Sequence, residues 1–217
     1  MRSRVLTIAA ALSAAVMLFA LGAATRPLIS GDEDKGTAAP VLNPTEIGFV
    51  QDMLAHHNQA LIMVSRLDSS AAPEIRALAG RIDDTQRSEI GQFLGWLRLA
   101  GAPTTNPEPM AWMHRDEGTG HHDTGPATTE HNAPESGLMP GMAGRAELDA
   151  LSSARGADAG TLFLQLMQRH HYGGIEMATA ADRLLDSGVV KQTARDMMTT
   201  QGQEAGLMGV LLTGFAR

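Results

Sequence analysis

Apolar residues recur every three to four positions over four long stretches, about 45–69, 73–100, 158–187 and 189–214. This is the period of an amphipathic helix. A shorter helix is predicted at about 144–154. Thr45, just after Pro44, is the expected cap of the first helix, and Pro73 suits the first turn of the second. The second helix stops at "GAP" (101–103) and the third at "DSG". Two segments break the period. Residues 26–44 are polar and rich in Gly and Pro, as expected of a disordered linker, and 101–143 reads as a long loop.

The pattern occurs twice. At an offset of 114 residues, "FVQDMLAHHNQALIMV" (49–64) overlays "FLQLMQRHHYGGIEMA" (163–178). Phe49 pairs with Phe163, Met53 with Met167, His56 with His170, His57 with His171 and Met63 with Met177. The partner helices align at 115, which pairs Gln86 with Gln201 and Glu89 with Glu204. Two duplicated helical hairpins predict an all-α, antiparallel four-helix bundle spanning 45–214. The first hairpin is 45–100 and the second 144–214, with the 101–143 loop between them. Neither hairpin alone buries both faces of its helices, so the halves must pack together.

Polar residues interrupt the apolar stripes at matching places. On a helical wheel Met53, His56 and Met63 share a face that His57 borders, and Met167, His170, Met177 and His171 repeat this. In the partner helices Ile82, Gln86, Glu89 and Phe93 form one stripe, and Met197, Gln201, Glu204 and Met208 form the other. A buried carboxylate is costly unless it is paired, hydrogen-bonded or bound to a metal. The repeat therefore predicts a polar layer of up to four His, two Gln and two Glu, lined by Met. A Met stripe at helical spacing is ordinarily core filling, and a single buried His is ordinarily a satisfied core group. Two duplicated His pairs point instead to metal or proton chemistry. Gln86, Glu89, Gln201 and Glu204 read equally as supports that orient the ligands, as hydrogen bonds that specify the bundle, or as ligands themselves.

Composition narrows the chemistry. The chain has 217 residues and no cysteine, which excludes thiolate zinc sites, iron–sulfur clusters and disulfides. A net charge of −7 with no basic cluster after the first few residues argues against nucleic acid. Aromatics are only 4%, so Leu, Ile, Val, Ala and 13 Met must build the core. Residues 1–25 open with Arg2 and Arg4, followed by an uncharged, mostly apolar run from Val5 to Ala24. This is an export segment, either a cleaved signal peptide or a retained membrane anchor, and the rest of the chain faces outward in both cases. No Glu-x-x-His motif of a di-iron bundle is present. Imidazole together with thioether suits copper, above all Cu(I), whereas zinc has little use for Met. The loop adds Met110, Met113, His114, His121, His122, His131, Met139 and Met142, either an auxiliary metal-binding tract or a linker of biased composition.

These residues resemble a known family. The doubled "HH…M" helices, the "Q-x-x-E" partner helices, and "LMPGM" (138–142) leading into "ELDAL" are similar to domain of unknown function 305. The resemblance covers about 45–214 and implies an exported, ferritin-like, duplicated four-helix bundle, some members of which are linked to copper binding and tolerance. It carries the metal-site expectation to Met53, His56, His57, Met63, Met167, His170, His171 and Met177. The copies depart from the family's usual "HHQGAxxMA" at Asn58, Gln59 and Val64, and at Tyr172 and Gly174. Phe93 stands where Met is common, while Met208 keeps it.

The expected protein is thus an extracytoplasmic copper binder that buffers, delivers or confers tolerance to the metal. It would be non-enzymatic, would touch the membrane only through its N-terminal segment, and would have a copper transporter or chaperone as a fitting partner. The rivals are a metal-independent surface module holding a buried His/Glu/Gln layer, and a metal-dependent redox enzyme. Zinc, or no metal, is the alternative to copper. No hydrolase motif such as G-x-S-x-G is present.

Overall fold

The computed structural model describes residues 40–114 and 139–215. It contains α1 (Pro44–Arg66), α2 (Pro73–Leu99), a 3-10 turn (Ala111–His114), α3 (Arg145–Ser153), α4 (Gly156–Leu184) and α5 (Val189–Phe215). Among the described residues there is no strand. The expected export segment, nearly all of the expected 26–44 linker, and His121, His122 and His131 lie outside the described residues.

Local chemistry accounts for the helix ends. The cap of α1 is Asn43 and not Thr45. Its side-chain oxygen accepts from the Thr45 and Glu46 amides, both at 2.9 Å, and the Glu46 carboxylate accepts from the Asn43 amide at 2.7 Å. Pro44 takes the first helical position, where its missing N–H costs nothing. Helix α1 ends at Arg66, three residues earlier than expected, because Leu67 turns extended. Gly101 at φ 63° closes α2, and Gly188 at φ 104° makes the turn into α5.

Helices α1 and α4 form the centre and run antiparallel. On one side of their crossing Phe49, Val50 and Met53 pack with Met177, Ala178 and Ala181. On the other side Ala60 and Met63 pack with Phe163, Leu164 and Met167. His56 and His170 meet where the two helices cross. Helix α2 packs on α1 and α5 on α4, whereas α2 and α5 have no extended contact with each other.

The 101–143 segment is more than a loop. Trp112 is fully buried, edge-on to Phe49 with ring centroids 5.4 Å apart, and seated over Gly48. Its indole N–H and the Met110 amide both donate to the Asp52 carboxylate, at 2.8 and 2.7 Å. Met139 is buried in the core, and Met110, Met113 and Met142 pack half-buried against it. Core packing thus holds the four loop methionines, which the sequence offered as part of a metal-binding tract or of a linker. The aperiodic sequence hid this because a single Trp anchor leaves no period.

Candidate metal centre

The four histidines converge in one buried layer. The His56 and His170 rings lie face to face, centroids 3.7 Å apart and tilted by 30°. His57 and His171 flank them, and all four side chains are shut off from solvent. Methionines lie three residues before and seven after each central His, and the antiparallel helices group them across the halves. Met53 and Met177 lie in the core on one side of the layer, with Met197. Met63 and Met167 lie on the other, with Met208. The sequence grouping of Met53 with Met63, and of Met167 with Met177, is therefore divided by the layer.

Every ring uses the same nitrogen for its hydrogen bond. His57 Nε2 meets Glu89 at 2.6 Å and His171 Nε2 meets Glu204 at 2.7 Å. His56 Nε2 donates to the Pro140 carbonyl at 3.0 Å, and His170 Nε2 to the carbonyl of His56 at 3.0 Å. Carbonyl and carboxylate oxygens accept, so the proton sits on Nε2 and the lone pair on Nδ1. None of the four buried Nδ1 atoms has a hydrogen-bond partner among the described residues. An imidazole held at one nitrogen by a carboxylate or carbonyl, with the other nitrogen bare, is the usual posture of a metal-ligating histidine. Burial, and secondarily the neighbouring histidines, lower the His56 pKa to about 3. Burial, then His56, His171 and His57, hold His170 well below its ordinary range. The lone pairs of the central pair are therefore free of protons at neutral pH.

Gln86 and Gln201 are buried, and Glu89 and Glu204 reach the layer from the rim. Gln86 Oε1 and both amide atoms of Gln201 also have no partner among the described residues. Gly174 makes room for Gln201, since a Cβ there would overlap its amide oxygen. Phe93 packs on the His57 ring at 5.3 Å, in the place Met208 takes in the other half. Among the described residues no three His, Asp or Glu side chains form a ready cage. A metal held here would draw on paired imidazole nitrogens and thioethers, a donor set that suits a soft, low-coordinate cation. Sequence reasoning missed Pro140 and the role of Gln59, whose amide clamps Ala143 through both its atoms. Gln59 was legible only as a departure from the family pattern, and a backbone carbonyl leaves no mark in a sequence.

This architecture, a duplicated all-helical bundle around a doubled His layer, defines the class of protein. The model of the family described as "Domain of unknown function (DUF305)" matches residues 46–212, and the chain belongs to that family. The chain is similar to a DUF305 protein of Streptomyces coelicolor, provisionally described as secreted. That match has 34% identity, covers 79% of this chain and 92% of that one, and has a TM-score of 0.66. A DUF305 fragment from Deinococcus radiodurans is similar at 32% identity over 79% of this chain and 97% of that one, with a TM-score of 0.61. CopM, solved in a Cu(I)-bound form, shares the fold at 20% identity over 80% of this chain and 99% of that one, with a TM-score of 0.54. Among curated proteins none matches the chain.

Proposed function

We propose that this protein binds copper, as Cu(I), at the His layer, and acts outside the cytoplasm in copper buffering, delivery or tolerance rather than as an enzyme. The observation that carries the reading is the set of four buried imidazoles, each anchored through Nε2 and each leaving Nδ1 bare, with thioethers on both sides. His56, His57, His170 and His171 are the first ligands in this reading, and Met53, Met63, Met167 and Met177 the next. Glu89 and Glu204 orient the outer rings and offset the charge of the cation. The copper-bound forms of CopM, which share the fold, support the reading. The secreted description of the Streptomyces relative and the N-terminal export segment support the location. A copper transporter or chaperone would be the exchange partner.

The test is anaerobic titration of the purified protein with Cu(I) under a competing chelator, beside a variant with His56, His57, His170 and His171 all replaced by Ala. Wild type should bind more tightly by at least two orders of magnitude. Equal affinity would sink the assignment. One observation favours a second reading. Every Nε2 already has its acceptor, so the layer can also serve as a bundle-specifying network without metal. In that case the titration would show no tight site, and the variant would lose stability only.

A further inference from the structure

The two central rings differ in what holds them. His170 donates to a carbonyl within α1, but His56 donates to Pro140, in the Met139–Ala143 turn outside the helices. Three constraints seat that turn. The Gln59 amide accepts from the Ala143 N–H at 2.6 Å and donates to the Ala143 carbonyl at 3.0 Å. Gly141, at φ 74°, lies against the α4 backbone, where a Cβ would strike the Arg169 carbonyl. Gly173 leaves the space that the Pro140 carbonyl fills, and a Cβ there would overlap it. Positions 59 and 173 are equivalent in the duplication. One clamps the turn and the other admits it: Gln59 departs from the glycine that Gly173 keeps, and both hold the same five residues.

We propose that the Met139–Ala143 turn is a positioning element that sets the tautomer of His56, and that metal in the His layer tightens it in return. A seated carbonyl accepts only from Nε2–H, so it keeps the proton there and presents the Nδ1 lone pair to the layer. A cation on Nδ1 draws charge from the ring and makes Nε2–H a stronger donor to Pro140. Whatever the seated turn adds to metal affinity, bound metal adds to the seating of the turn, because binding couplings are reciprocal. The turn thus reports occupancy at the protein surface, half-buried at Pro140, Gly141 and Met142. His170, whose acceptor belongs to a helix, is the internal control.

This inference rests on the copper-binding reading, and the test separates the two. Nitrogen-15 NMR of the metal-free protein reads each imidazole tautomer directly. Wild type should show the proton on Nε2 of both His56 and His170. Gly173→Ala, which pushes Pro140 out, should give mixed tautomers at His56 alone. Gln59→Leu, which only unclamps Ala143, is the milder variant if the first fails to fold, and should do the same to a smaller degree. With Cu(I) added, hydrogen exchange at the Met142 and Ala143 amides should slow at least tenfold in wild type. Cu(I) affinity should fall about 10- to 100-fold in Gly173→Ala. An unchanged His56 tautomer in both variants would overturn the positioning role. Unchanged exchange in a wild type that does bind Cu(I) would overturn the coupling. A wild type that binds no Cu(I) sinks the copper reading and the coupling, while the metal-free tautomers still decide the positioning role.

Discussion

The two hairpins carry the same motif but are built differently around it. In the second, α4 and α5 pack closely, with Gly174 leaving room for the Gln201 amide between them. In the first, Ala60 replaces Gly174, Phe93 replaces Met208, and the α1–α2 pair is less extensive. The first half is completed by the connecting segment instead, through Trp112 on Phe49 and Asp52, and through the Met139–Ala143 turn on Gln59. The outer pairs are nonetheless alike, His57–Glu89 at 2.6 Å and His171–Glu204 at 2.7 Å. The carboxylate–imidazole geometry is alike in the two halves while the packing around it differs. The outer carboxylate–imidazole pairs, not the duplicated core, are what the two halves share.

The largest expected effect tests the claim that the connecting segment completes the first half. Trp112→Ala removes a fully buried ring and leaves the Asp52 carboxylate without its indole donor. It should cost about 3–5 kcal/mol in urea denaturation. A loss under about 1 kcal/mol would show that the first hairpin stands without the segment.

Acid tests the central rings. His56 has its pKa lowered from 6.5 to about 3, and His170 is lowered in the same direction. Below pH 6.5 the unfolded chain takes up protons that the folded central rings refuse. Stability is therefore fully present above about 6.5 and falls as pH drops toward 3. The slope is about 1.4 kcal/mol per pH unit for each such ring. Metal-free protein unfolded at pH 7 and pH 5 should show the loss, and the His56→Gln, His170→Gln double variant should show much less of it. An equal slope in both would mean that the central rings are not the groups responsible.

Glu89→Ala and Glu204→Ala should be nearly equal, each costing about 1–3 kcal/mol, because each strands one buried imidazole N–H. A difference beyond about 1 kcal/mol would break the equivalence of the outer pairs.

The smallest effect is expected from Phe93→Met, which gives the first half the side chain of the second. A swap of one core hydrophobe for another should change stability by less than about 1.5 kcal/mol. If Met208 contributes a thioether to copper, the change should raise Cu(I) affinity measured against a chelator. No change in affinity would place both positions in the core alone.

The helices, their duplication and the face bearing the histidines were all legible along the chain. The 3.6-residue period and the repeat at 114 residues are local facts that folding cannot rearrange. The same holds for the polar interruptions at Gln86, Glu89, Gln201 and Glu204, since a helix carries its stripe wherever it packs. The start of α1 was misplaced by two residues, because both Asn43 and Thr45 have the chemistry of a cap and only the position of Pro44 favours the former. What the chain could not show depends on which segment meets which. The antiparallel crossing brings His56 onto His170 and divides Met53 from Met63, and a periodicity has no direction across helices. The ring nitrogen left free for a metal was likewise settled in three dimensions. That choice belongs to the acceptor opposite each ring, and at His56 and His170 the acceptor is a backbone carbonyl, a group every residue carries and no sequence distinguishes.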